Sequence, residues 1–520
     1  MRLLRFSMIF VLVLAMCPAG WTADTGESKA RALDGVGGGF TLADFEKSVT
    51  EFTLANGMKF IVVERHQVPV VAFNLYVDVG AVDEVTGITG VSHLFEHMAF
   101  KGTKTIGTRN YAAEKKAMDA ADQAYAALQT EREKLSPDAA KLKTLQEAFD
   151  KASEAADNVN PEEVREEFSK VLERSGAEGL NAGTSYDSTQ YTFSLPSNKM
   201  ELWFSMESAR FLDPVLREFY KERDVVLEER NMRTESDPFG KLLEDFLAAA
   251  YKAHPYHSPV VGHQSEISQV RRPEAEKYFR DHYVAAAMTA AIVGDVNPKD
   301  VKRMAETYFG RLPKKPHPEA VRTVEPPQNG EHRVEVEAQA QPYLLVGFHK
   351  PDVRDKDHAI FDAISDILGE GRTSWLYKSL VKDKKIAVAA QAVTGFPGDK
   401  YPGLFIFFTV PSAGHTAEEN LKAVEEQIER LKTEKIPPEQ LEQVKTRTRA
   451  GVIRSLRSME GLAGALAQNQ ALEGDWRQLF KDIDDIGAVT ADDIQRVAKT
   501  YFEKKNRTIG VIVPPEKPKS

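Results

Sequence analysis

The chain has 520 residues, and 68 Lys+Arg against 78 Asp+Glu leave a net charge of −10. At roughly 150 residues per domain, that length predicts several domains or two large ones. With 42% hydrophobic residues the chain has material for real cores, which excludes wholesale disorder. The acidic balance excludes a general nucleic-acid binder, which needs a basic face.

In chain order, Arg2 and Arg5 precede an apolar run from Phe6 to Met16, and the small residues Ala19, Gly20 and Ala23 follow. A charged start, a short apolar middle and a small-residue exit predict a signal peptide over 1–23 and an exported protein, periplasmic or secreted. Cys17 is the only cysteine. A lipid anchor there is the weaker reading, because bulky Met16 stands where a small residue is expected. The mature chain then has no cysteine, so any metal site must be built from His, Asp and Glu. No later apolar stretch is long enough to predict a membrane span.

Residues 24–46, with Gly35 to Gly39, read as a flexible leader. Glu51 to Val63 alternates around Asn56-Gly57, a hairpin signal, and Val70 to Val79 is a second alternating run. The turn-rich passage from Gly80 leads into a helix carrying Ser92 to Phe100. From about 111 to 175 the pattern changes. Met118, Ala121, Tyr125 and Leu128, then Leu142, Leu145 and Phe149, keep helical spacing. Ser136-Pro137-Asp138 between them predicts a helix restart, with Ser136 as N-cap and Pro137 in the first turn. A third short helix follows Asn160-Pro161. The plain reading of this helical insertion is a solvated surface decoration, and the sharper one is a docking arm for a partner.

Thr189 to Leu195 returns to strand, helices run on to Phe246, and Thr289 to Asp295 reads as a buried strand. The Pro-rich stretch 313–330 reads as a linker. After it the order repeats: a strand pair in Val334–Phe348, a helix in Ile360–Gly369, a strand in Leu404–Val410 and a helix in Ala417–Leu431. Thr508 to Val513 then echoes Thr289 to Val293. The predicted fold class is α+β: two similar α/β modules, 47–312 and 331–515, of mixed or antiparallel sheets packed with helices.

The sharpest motif is His93-Leu94-Phe95-Glu96-His97. On a helix the two histidines lie one turn apart on one face, so both rings can reach one cation. Glu96 projects beside that face, where it can take a proton from a metal-activated water. The order is the inverse of His-Glu-x-x-His. A hydrolytic zinc wants a third protein ligand and an open position. Glu222 and Glu229 stand two helical turns apart in an acidic, helix-compatible stretch. One of them can ligate while the other orients a ligand.

These segments resemble the pitrilysin/insulinase family of zinc metallopeptidases. His93 to Thr103 is similar to its active-site helix, especially in the mitochondrial processing peptidase branch. Leu180 to Ser185 with Thr189 to Tyr191 resembles its substrate-side strand, and Glu222 to Glu229 the segment bearing its third ligand. The resemblance implies His93, His97 and Glu229 as ligands of one Zn2+ per chain, Glu96 as general base, and Glu222 as an acid behind the ligands. It implies Asn181, Ala182 and Thr184 on an exposed strand edge to which an extended peptide adds. His97 to Glu229 is a longer interval than the family uses, and the excess falls in 111–175. The family also uses an Arg and a Tyr from a C-terminal module. Phe405 and Ser412 occupy those positions here, with Arg372 and Tyr377 nearby on a predicted helix.

The expected function is therefore a zinc-dependent endopeptidase acting on peptides or unfolded polypeptides in an enclosed chamber. In the family four modules form that chamber. A two-module chain implies a dimer, or a heterodimer with a homologous subunit lacking the metal motif. The competing readings are a non-catalytic or core subunit of a two-chain peptidase, and a zinc-containing peptide-binding module.

Overall fold

A computed structural model describes residues 45–455 and 457–515. The predicted signal peptide (1–23), and all of the leader before Phe45, lie outside the described residues.

The first half forms strands β1 (Val49–Thr53), β2 (Lys59–Glu64), β3 (Val70–Val77), β4 (Glu178–Thr184), β5 (Thr189–Pro196) and β6 (Met288–Gly294). They lie in one sheet in the order β1-β2-β6-β3-β5-β4. The second half forms β7 (His332–Glu337), β8 (Leu344–His349), β9 (Ala387–Phe396), β10 (Leu404–Pro411) and β11 (Arg507–Val513), in the order β7-β11-β8-β10-β9. The predicted hairpin forms from Val49↔Val63 to Thr53↔Lys59, and Gly57, at φ 99°, takes the left-handed position that Asn-Gly announces.

The two sheets are built alike. β6 runs parallel to β2 and antiparallel to β3, and β11 runs parallel to β7 and antiparallel to β8. The late strand of each half slots between two earlier ones. That is the structural content of the echo between Thr508–Val513 and Thr289–Val293, and it separates β7 from β8, which the sequence reads as a pair.

Eight helices matter to the site: α1 (Val91–Met98), α2 (Tyr111–Arg132), α3 (Ala139–Asp157), α4 (Glu167–Arg174), α5 (Met200–Leu212), α6 (Phe219–Arg230), α7 (Pro238–Ala250) and α8 (Met459–Glu473). The halves exchange two of them. α7 of the first half covers the second sheet, packing Leu242 and Phe246 against Leu345, Leu404 and Ile512. Phe246 lies over Gly347 of β8 and Gly510 of β11, where an added Cβ would come within 2.7 and 3.1 Å of its ring. In return α8 lays Leu462, Ala463, Leu466 and Ala467 on Ile61, Val63 and Ala291 of the first sheet. Each sheet is thus covered on both faces, which is why β2 and β6 read as near-continuous apolar runs. The stretch from Pro313 to Asn329 has no helix or strand.

Within the insertion, α2 and α3 form a hairpin. Asp138, not Ser136, caps the second helix: its carboxylate accepts the N–H groups of Ala140 and Lys141. Asp can bond two such donors at once, and Pro137 ends up before the helix instead of inside its first turn. Asn160 Oδ1 accepts the Arg109 N–H at 2.9 Å and Glu167 accepts that of Gly107 at 2.9 Å, which closes the stem. Tyr125 of α2 and Phe149 of α3 pack on Tyr220 with ring centres 4.9 and 5.0 Å away. The outer helix α3 buries only Phe149 and is the solvated surface expected. α4 is different, for Phe168 and Leu172 are fully buried in the core of the first half. Among the described residues no helix is long and apolar enough to cross a membrane.

Candidate metal centre

Helix α1 begins at Gly90, whose φ of 86° is left-handed and whose Cβ would lie 2.6 Å from the Val261 carbonyl oxygen. Two of its orphan N–H groups are satisfied by one buried carboxylate: Glu84 accepts from Gly90 and from Ser92, each at 2.7 Å. Burial raises the Glu84 carboxyl, although both N–H groups oppose it. The helix is therefore fixed in place before its functional face is considered.

On that face the rings of His93 and His97 meet edge to face, centres 4.9 Å apart. Glu229, at the end of α6, reaches both: Oε1 lies 3.6 Å from His93 Nε2 and Oε2 3.5 Å from His97 Nε2. One donor atom from each residue falls within 4.8 Å of the others. Ligands about 2.0–2.1 Å from a tetrahedral zinc stand roughly 3.3 Å apart, close to the two separations that Glu229 makes with the histidines. The donor set, two imidazoles and a carboxylate with no thiolate, fits a zinc ion with a position left for water.

The surroundings tune each donor. His93 is fully buried, and burial with the neighbouring His97 charge lowers its pKa to about 3, leaving it neutral and able to donate a lone pair. Its other nitrogen, Nδ1, is buried and has no hydrogen-bond partner among the described residues. Burial works against charge on His97 too, but Glu222 and Glu229 outweigh it and raise its pKa to about 9. Glu222 Oε2 stands 3.5 Å from His97 Nδ1, and its other oxygen is ion-paired with Lys101. Burial opposes the Glu222 charge, but His97 and Lys101 lower its carboxyl to about 2. Glu229 is also lowered to about 2, against burial, by His97, His93 and Arg233.

Glu96 projects beside the donor set, and burial raises its carboxyl, moderated by Thr184. Thr184 Oγ1 donates to Glu96 Oε2 at 2.7 Å. Expected on the substrate edge, Thr184 thus has its side chain committed to Glu96. β4 is the outermost strand of its sheet, with Asn181 opposite Thr192 and Ala182 opposite Tyr191. Ala182 is buried, so what it can present at that edge is backbone.

Arg233 escaped the sequence reading. Its Nη1 lies 2.6 Å from Glu229 Oε1, one turn beyond α6 in the π-helical segment Asn231–Glu235. The signal for it was an i,i+4 acid–base pair. In the second half, Phe405 is a core residue and the Ser412 hydroxyl donates to the Lys385 carbonyl. Arg372 lies exposed in a turn, not on the helix expected, and Tyr377 begins the π-helical segment Tyr377–Asp383.

Fold and donor set together define a class: a duplicated α/β protein with a two-histidine, one-carboxylate centre beside an edge strand. The family model Insulinase (Peptidase family M16) matches residues 59–159 and 158–264, and that of the Peptidase M16 inactive domain matches 269–448. The chain belongs to this family, the pitrilysin/insulinase zinc metallopeptidases. It is 27% identical over 476 residues to the zinc protease PqqE of Helicobacter pylori, covering 89% of this chain and 92% of that one. A crystal structure of a protease from Helicobacter pylori superposes with a TM-score of 0.74 at 26% identity, covering 90% of this chain and 99% of that chain. The fold is shared with the periplasmic protease PqqL of Escherichia coli at a TM-score of 0.67 and 15% identity, over 90% of this chain but 48% of that one.

Proposed function

We propose that this chain is an exported zinc-dependent endopeptidase that hydrolyses peptides or unfolded polypeptides bound as an added strand along β4. One observation carries the reading: the three donors lie within 4.8 Å of one another, Glu229 reaching His93 and His97 at 3.6 and 3.5 Å, with a Glu96 carboxylate held beside them by Thr184. His93, His97 and Glu229 would hold one Zn2+, which when bound polarises the scissile carbonyl and acidifies water. Glu96 accepts the proton of the attacking water and returns it to the leaving amine, and its raised pKa suits both steps. Thr184 keeps that carboxylate aimed, and Glu222 keeps the His97 ring aimed. Backbone hydrogen bonds to β4 give affinity for any extended segment.

The second half carries no two-histidine pattern in its corresponding helix, His358–Gly369. We read it as a non-catalytic module and the enclosed chamber as the work of two chains, either two copies or this chain with a homologous subunit lacking the motif. The fold match to about half of a longer protease supports a second module pair. Export rests on the residue pattern of 1–23 and fits the periplasmic protease whose fold the chain shares.

The test is cleavage of a quenched peptide library by the purified mature chain, with and without chelator and zinc, beside Glu96→Gln. Chelator-sensitive cleavage lost in the variant is the expected result. Zinc bound without cleavage points to a required partner or to a non-catalytic subunit. Absence of both zinc and cleavage refutes the site.

A further inference from the structure

Both ends of the helical insertion reach the residues that start α6. At its beginning, Glu114 of α2 is buried against Arg217, with 2.8 Å between Glu114 Oε1 and Arg217 Nε. The same guanidinium donates to the Thr103 carbonyl at 2.7 Å and to those of Lys101 and Ile106, in the loop that follows α1. At its end, Arg165 of the short helix Glu162–Arg165 is ion-paired with Glu218. Arg217 and Glu218 immediately precede α6, which carries Glu222 and Glu229.

Glu218 gathers more than Arg165. Its carboxylate also binds Lys101 at 3.1 Å and Lys221 at 2.9 Å, and Lys101 is shared with Glu222. Glu222 in turn faces His97 Nδ1 at 3.5 Å. An ionic chain thus runs from the insertion through Glu218, Lys101 and Glu222 to a donor of the metal centre. Aromatic contacts fix the same junction: the Phe168 ring of α4 packs on the buried Arg210 guanidinium at 4.7 Å, which also stacks on Phe100 at 4.7 Å, next to Lys101.

Two features argue that this chain of charges is kept for geometry. Glu218 has a left-handed φ of 56°, a conformation that is costly for a residue with a Cβ and that glycine takes freely. Glu114, Arg217 and Glu218 are buried, and a buried ion pair returns little stability beyond apolar packing, because both charges lose their water. What such a network fixes is which groups meet. Without Arg165, the Glu218 carboxylate would draw Lys101 toward itself, and Glu222 would lose the partner that holds it against His97. Resting on the metal-centre reading above, we propose that the insertion is a positioning element of the metal centre, with Arg165 acting through Glu218, Lys101 and Glu222 on the His97 ring.

The test uses the full mature chain loaded with Co2+ or Zn2+. Visible absorption of the Co2+ form reads ligand geometry, and competition with a chromophoric chelator at one pH reads zinc affinity. Arg165→Met should change the Co2+ spectrum and weaken zinc about tenfold, the lower end of the effect of a group behind a ligand. Arg165→Lys should return both toward the unsubstituted values, and Arg165→Gln replaces Arg165→Met if that variant does not fold. In a Glu218→Gly background, which suits the left-handed φ and removes the relay, Arg165→Met should have no further effect. Leu145→Ala, which loosens the hairpin away from these charges, should lower the urea midpoint and leave both metal readouts unchanged. An unchanged spectrum and affinity in Arg165→Met, an equal change in Leu145→Ala, or an undiminished effect of Arg165→Met in the Glu218→Gly background overturns the proposal. Peptide cleavage by the unsubstituted chain is scored separately. Metal binding without cleavage removes the peptidase reading and leaves this proposal decided by the metal readouts, whereas absence of metal binding refutes the centre and this proposal together.

Discussion

Zinc affinity should rise steeply with pH, because the ligand nitrogen of His97 is contested by a proton. His97 sits between two carboxylates, Glu222 3.5 Å from Nδ1 and Glu229 3.5 Å from Nε2. Although burial disfavours its charge, they hold its pKa at about 9. The Nε2 proton must leave before that nitrogen can ligate. At pH 7, about two units below, the ring is neutral in roughly one molecule in a hundred. The apparent affinity is then ~100-fold below the intrinsic one, worth ~3 kcal/mol. The dissociation constant should fall about tenfold per pH unit between pH 7 and 8.5, then flatten above about 9. His93 adds no slope there, since its pKa is about 3. Competition against a chromophoric chelator of known zinc affinity, corrected for the chelator's own protons, reads this from pH 6.5 to 9.5. A flat profile, or a break near the ordinary histidine value of about 6.5, refutes the argument. The metal-free protein should show the linked effect on folding. A pKa raised on folding contributes stability that is complete below about 6.5 and is lost as pH rises through about 9, here at most ~3 kcal/mol.

Three substitutions test the supports of the centre. Thr184→Val removes the hydroxyl on Glu96 at nearly constant shape; a hydrogen bond to a charged group, worth ~1.5–3 kcal/mol, predicts kcat down at least about tenfold with KM little changed. Gly240→Ala places a Cβ 1.8 Å from the Arg233 carbonyl oxygen and should displace Arg233 from Glu229. Weaker zinc binding at unchanged helix content by circular dichroism is the expected outcome. Gly347→Ala drives a Cβ into the Phe246 ring and should cost ~1–3 kcal/mol, read as a lower urea midpoint at unchanged slope.

Much of this was legible in residue order, and for stated reasons. The His93–His97 face depends on one helical turn, and the seven-residue interval from Glu222 to Glu229 on two turns. Both intervals survive folding because α1 and α6 are regular helices. The hairpin at Asn56-Gly57 was legible because few residue pairs accept that turn. What periodicity could not reveal is which sheet a helix covers. Leu242 and Phe246 make α7 amphipathic wherever it packs, and only Gly347 and Gly510, about 100 and 260 residues later, receive it. The role of the insertion was hidden for a related reason. Phe168 and Leu172 look like any apolar pair on a charged helix until Arg210 and Phe100 come to meet them.

The helix exchange places the third donor at a junction. Glu229 lies at the end of α6, which runs through the π-helical turn 231–235 straight into α7 on the second sheet. The turn is clamped from both sides. Arg230 donates to the Gly262 carbonyl at 2.7 Å and to Glu244 of α7 at 2.9 Å, and Gly240 lets the Arg233 carbonyl approach α7 closely. Two of the three donors therefore belong to α1, fixed within the first half through Glu84, while the third is steadied by a helix whose apolar face is buried in the second half. A rigid rotation of the second half would pull on α7 and so on Arg233 and Glu229, leaving His93 and His97 where they are. The half that supplies none of these three donors thus packs against the helix that follows Glu229.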